Sequence, residues 1–135
     1  MPDSAIHYAI KAIEQAPNWS SPYVILRLGI KDSLQLEAVS DLLNQNPNID
    51  PGANAALKLQ ASWYYYQKKY DTAERLFKNL LVSNPSYSSS ATFLYYIYNY
   101  SKKYSEAETV LLQYPSLNHL DDLLGVYMQS NKPEK

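Results

Sequence analysis

Residues 61–77 read Ala-Ser-Trp-Tyr-Tyr-Tyr-Gln-Lys-Lys-Tyr-Asp-Thr-Ala-Glu-Arg-Leu-Phe. The spacing of residues 61–66 closes an amphipathic helix, residues 67–70 form a tight turn, and a second helix opens at Asp71. Ala73, Leu76 and Phe77 fall on one face of that second helix. Thirty-four residues on, the pattern returns: Tyr95, Tyr96, Tyr98 and Tyr100, a turn over 101–104, then Ala107 and Leu111. Self-similarity at a fixed period of this size is the signature of stacked helical hairpins.

Working outward, the same punctuation recurs. A proline followed by a polar and then an apolar residue stands at Pro17, Pro47, Pro85 and Pro115. Proline disfavours helical geometry in the residue before it, so each of these should end a helix. The spacing predicts helices over 4–16, 21–31, 33–46, 53–67, 71–83, 89–100, 105–113 and 117–130. Asp3 or Ser4 should cap the first, whose apolar positions are Ala5, Tyr8, Ala9, Ala12 and Ile13. Ser20 or Ser21 should cap the second, with Tyr23, Leu26, Leu28 and Ile30 as its apolar positions. Asp32-Ser33 should cap the third, which carries Leu34, Leu36, Val39, Leu42 and Leu43. Asp71 with Glu74, and Ser105 with Glu108, have the spacing of capping boxes. Asp71–Arg75 and Glu74–Lys78 are spaced as ion pairs along a helix.

Composition narrows the class. The chain has 135 residues, a net charge of -1, three glycines and no cysteine. It is long enough for one domain with its own core. The charge balance offers no footprint for nucleic acid or an anionic membrane. The absence of cysteine removes disulfides, thiolate metal sites and a cysteine nucleophile. No apolar run reaches the roughly 20 residues that span a bilayer. Residues 1–7 hold an acid and no basic stretch, so no signal peptide is expected. These features fit an intracellular, cytoplasmic protein.

Residues 54–87 resemble a tetratricopeptide repeat. The residues that carry the resemblance are Ala61 and Tyr64 on the first helix, Tyr70 in the turn, Ala73 and Phe77 on the second helix, and Pro85 at its end. Small residues at 61 and 73 let the two helices approach, and the aromatic residues fill the space around the contact. The repeat at 88–121 keeps Tyr98, Tyr104, Ala107 and Leu111, but has Tyr95 where a small residue is expected. Partial or degenerate repeats cover 3–19, 20–53 and 117–135. The resemblance implies an all-α fold, a right-handed superhelical stack of antiparallel helix pairs with about eight helices in a single domain over 1–135. It also implies a protein-binding scaffold without catalytic activity.

In such an array the first helix of each repeat lines an inner groove. By alignment the partner-binding positions are Lys58, Ser62, Tyr65 and Tyr66 in one repeat and Thr92, Tyr96, Asn99 and Tyr100 in the next. Asp121, Leu124 and Met128 are the corresponding positions of the last helix. Tyrosine brings a large contact area, few rotatable bonds and a polar tip, which suits recognition of a protein or peptide. The competing reading is that these tyrosines only fill gaps between hairpins. Trp63, one step round the helix, is assigned to packing. A co-chaperone-like module gripping a chaperone or client tail is the alternative; of its expected residues only Lys58 is in place. His7 and His119 lack ligand partners, so no metal is expected. No glycine-rich phosphate loop or strained nucleophile turn is present, so no cofactor and no enzymatic activity are expected. The chain opens on a second helix and closes on a first one. The ends, Leu117, Leu120, Leu123 and Leu124 among them, should therefore pair within a longer array, a homo-oligomer or a larger complex.

Overall fold

The computed structural model describes residues 2–19, 21–85, 87 and 89–114. The helix expected over 117–130, with Asp121, Leu124 and Met128, lies outside them. Seven α-helices occur among the described residues: α1 Pro2–Gln15, α2 Ser21–Gly29, α3 Ser33–Gln45, α4 Ala55–Tyr66, α5 Tyr70–Ser83, α6 Ser89–Tyr100 and α7 Tyr104–Gln113. A single 3₁₀ turn, Pro51–Ala53, precedes α4. No strand is present among the described residues. The chain divides into two compact units, residues 1–85 and 86–135.

In the first unit α4 is the hub. It packs against α2, α3 and α5, while α1 packs against α2. Ile13, Leu26, Leu59 and Trp63 meet in one buried cluster with Leu36, Leu43 and Ile49. Ala61 and Ala73 are fully buried on α4 and α5, as the small-residue pattern requires, and Phe77 is buried with them. The neighbours α2 and α3 do not form such a close hairpin. Thirty-four residues before Ala61 and Ala73 stand Arg27 and Val39, and neither is small enough to let two helix backbones approach.

Side chains tie helix ends to one another across the unit. The Asn46 amide donates to Glu14 Oε2 at 2.9 Å, joining α3 to α1. That bond, first among several contacts, holds the Glu14 carboxyl below its ordinary value. Trp63 Nε1 donates to the Ile30 carbonyl at 3.3 Å, joining α4 to the end of α2. Asn84 Nδ2 donates to the Gly52 carbonyl at 3.0 Å, and its Oδ1 accepts from Asn54 Nδ2.

The second unit repeats the hairpin. Helices α4 and α6 have the same length and start 34 residues apart; α5 and α7 also start 34 residues apart, but α7 is shorter, with 10 residues against 14. Leu94, Ile97, Tyr98, Ala107 and Leu111 are buried. Ser90 is buried where Ala56 is buried one period earlier, so small size is what the two positions share.

Several expectations are corrected. The helix expected over 53–67 starts two residues later, at Ala55, because Asp50 caps the 3₁₀ turn and Asn54 adopts a left-handed conformation before α4. Neither capping box forms. Helices α5 and α7 start at Tyr70 and Tyr104, one residue ahead of Asp71 and Ser105, and the cap residues Lys69 and Lys103 make no side-chain capping bond. On α5 the Glu74–Lys78 pair closes at 2.9 Å. No ion pair joins Asp71 and Arg75 among the described residues; Arg75 instead lines a cleft of about 390 Å³ with Glu37, Gln60 and Tyr64. Tyr8, Leu28, Leu34 and Leu42 are exposed rather than buried. The buried positions Tyr23 and Leu26 in α2, and Ile30 just past its end, follow steps of three and four, which puts Leu28 on the far side of the helix. By contrast, Asp32 caps α3 as expected, its carboxylate accepting from the Gln35 amide at 2.9 Å.

What ends α4 and α6 is a shared backbone device. Lys68 and Lys102 have φ of 62° and 60°. The Lys68 amide donates to the Tyr65 carbonyl and the Lys69 amide to the Tyr64 carbonyl. Lys102 and Lys103 make the corresponding bonds to Asn99 and Tyr98. This is the Schellman arrangement, usually built on glycine because a Cβ is strained in the left-handed region. Lys68→Gly and Lys102→Gly are therefore expected each to raise stability by about 0.5–1 kcal/mol, with Lys68→Val lowering it. Urea unfolding followed by circular dichroism measures the shift.

Candidate functional site

The expected groove positions on α4 form a line that opens along the helix. Lys58, Ser62 and Tyr66 follow each other at steps of four, with Tyr65 beside them, so they share one face. Lys58, at 1 % exposure, is buried. Its ammonium donates to the Pro17 carbonyl at 3.1 Å and to Asn18 Oδ1 at 2.6 Å. The same Pro17 carbonyl accepts from the Tyr23 hydroxyl at 2.6 Å. The turn over residues 16–19 thus closes the face at its N-terminal end. Burial lowers the Lys58 pKa to about 8.

Ser62 is half-buried and its hydroxyl donates to the Leu59 carbonyl at 3.0 Å. A serine that returns its proton to its own helix needs no outside acceptor. Tyr65 is buried, its ring edge-on to Tyr66 at 4.9 Å and tilted against Tyr70 at 5.7 Å. Tyr66 is 50 % exposed, at the last position of α4. On α6, Thr92 and Asn99 are half-buried, while Tyr96 and Tyr100 are 39 % and 60 % exposed. Tyr66 and Tyr100 occupy the same place in their repeats, and both stay open. Trp63 packs inward, as assigned from the sequence.

The eight positions do not behave alike. Tyr66, Tyr96 and Tyr100 present aromatic surface. Lys58 and Tyr65 are built into the first unit. The four positions on α4 lie in one unit and the four on α6 in the other.

Helix α2 adds a surface that the alignment with the better repeats passed over. Val24, Ile25 and Leu28 are all exposed, and Leu28 reaches 61 %. Arg27 lies at the edge of this arc and meets α4, its guanidinium carbon 3.7 Å from the centroid of the Tyr66 ring. Trp19, just before α2, is 62 % exposed. The available signal was periodicity: α2 carries apolar residues all round, more than a single buried face can use.

Among the described residues, no group of three acidic, histidine or cysteine side chains is placed to hold a metal ion. No helix among them is long and apolar enough to cross a membrane. Compared with protein-family models, with curated proteins and with solved structures, the chain has no match in any of the three.

Proposed function

We propose that the chain is a non-enzymatic scaffold or adaptor of the tetratricopeptide type. In this reading the helix pairs continue into a right-handed superhelical stack, and the α4 and α6 faces bind a protein or peptide partner within a larger assembly. The observation that carries the reading is the exposure of Tyr66 and Tyr100 at equivalent ends of equivalent helices. Large aromatics left half or more in solvent at a repeated position add little burial to the fold, whereas tyrosine is among the residues that dominate binding interfaces. The repeated hairpin, with its repeated left-handed lysine, supports the repeat architecture. A tail-gripping clamp is not favoured, because Lys58 already holds two oxygen acceptors of the 16–19 turn.

The test compares the wild-type chain with a Tyr66→Ala/Tyr96→Ala/Tyr100→Ala variant in quantitative pulldowns from native lysate. Proteins bound through these faces should be depleted about tenfold or more, since a hot-spot tyrosine contributes about 1–2 kcal/mol. All three residues are exposed, so the variant should stay folded, losing chiefly the Arg27–Tyr66 stacking, about 0.5–1 kcal/mol. An unchanged set of captured proteins would sink the reading.

A further inference from the structure

The binding reading says nothing of what kind of segment the surface takes, and Arg27 bears on that for the first unit. Its guanidinium rests over the Tyr66 ring. Stacking restrains a side chain that is otherwise mobile and leaves its in-plane N–H donors pointing outward, the geometry that receives a carboxylate. Among the described residues no carboxylate comes within 4 Å of it. Cations near a helix C-terminus often serve only to offset its dipole. At α2 that role is filled by Lys31, whose Nζ donates to the Leu28 carbonyl at 3.4 Å.

Three apolar side chains flank Arg27 on this arc. Val24 and Leu28 lie three residues before and one after it, on the exposed arc of α2, with Tyr66 alongside. The arc is therefore an open apolar strip ending in an oriented cation. We propose that this strip binds an acidic peptide segment of a partner protein, a side-chain carboxylate on Arg27 and flanking apolar side chains on Val24, Leu28 and Tyr66. A second copy of the chain is a poorer occupant, since two-fold pairing through this face would bring Arg27 toward its own image. The inference rests on the proposed binding function and names the chemistry of its partner.

The test is an NMR titration of the full ¹⁵N-labelled chain with two blocked octapeptides. One is Ser-Ile-Asp-Glu-Val-Ile-Ser-Gly, and the other has asparagine and glutamine in place of its two acids. The acidic peptide should bind about fivefold more tightly, with shifts confined to α2 and the C-terminal half of α4, and the preference should fade at high salt. Arg27→Gln should equalise the two peptides, Arg27→Lys should retain part of the preference, and Tyr66→Ala should weaken both. Circular dichroism confirms that each variant is folded.

Equal affinities, a preference that survives Arg27→Gln, shifts elsewhere, or no shift at about 5 mM peptide would each overturn the proposal. So would line broadening of this face that grows with protein concentration alone, the mark of self-association. The two readings fail separately. If the triple tyrosine variant loses native partners while Arg27→Gln keeps them and the wild type shows no acid preference, the binding function stands and this inference falls.

Discussion

Trp63→Ala is expected to lower the stability of the first unit by about 3–5 kcal/mol. Two losses combine. The indole is 6 % exposed and sits in the same cluster as Ile13, Leu26, Leu36 and Leu59, so truncation leaves a void bordered by α1, α2 and α3. Its Nε1 also satisfies the Ile30 carbonyl in a buried bond at 3.3 Å, and that carbonyl would be left without this donor. Trp63→Phe separates the two terms. It keeps most of the ring volume and orphans the carbonyl, for a cost of about 1–2 kcal/mol. Against a typical total of about 5–15 kcal/mol, the alanine variant would be close to unfolding while the phenylalanine variant would not. Urea denaturation should be followed by circular dichroism, because the substitution removes the buried fluorophore and leaves only exposed Trp19. Equal losses for the two variants would show that the hydrogen bond, not the packing, is what Trp63 contributes.

That role for Trp63 was legible in the sequence, and the reason is geometric. A period of 34 residues aligns Trp63 with Ile97 and Ala73 with Ala107, and all four are buried. Positions that face inward in every repeat are fixed by helical spacing alone. The turns were legible for a similar cause, since Pro17 and Pro47 each occupy the second position of a tight turn closed by an amide-to-carbonyl bond. What spacing could not reveal is how the ends of the elements are finished. Lys68 and Lys102 take a left-handed conformation that lysine does not advertise, and so α5 and α7 begin earlier than their acidic residues imply. Nor could it order the candidate site. The face holding Lys58, Ser62 and Tyr66 follows from steps of four. That Lys58 is closed depends on the 16–19 turn, which lies some forty residues away in the chain and covers that end. Arg27 escaped for the same reason: its partner ring belongs to another helix.

Lys58 is where the fold and the expected site compete most directly, and its substitution should separate the two. Lys58→Ala is expected to cost about 2–4 kcal/mol, because it empties a buried four-carbon stem and releases the 16–19 turn from α4. Lys58→Met should stay within about 1 kcal/mol of the wild type at neutral pH, since an apolar chain of similar length fills the same space and no charge is then buried.

The pH dependence follows from the sign of the shift. Burial lowers the Lys58 pKa from 10.5 to about 8. Below that value the ammonium is charged in both the folded and the unfolded chain, and the fold bears the full cost of burying it. Between about 8 and 10.5 the unfolded chain keeps the proton and the folded chain releases it, so stability rises with pH, by on the order of 2 kcal/mol. Tyr87 works the opposite way in the same range, because burial raises its pKa and the folded state resists ionising it. The difference between wild type and Lys58→Met cancels Tyr87 and isolates the lysine. That difference, measured by urea unfolding at pH 7, 8.5 and 10, should move in favour of the wild type as pH rises. A constant difference would mean that the bonds to Pro17 and Asn18 hold the charge as well as water does. Lys58 would then be a strong latch on the turn rather than a costly one.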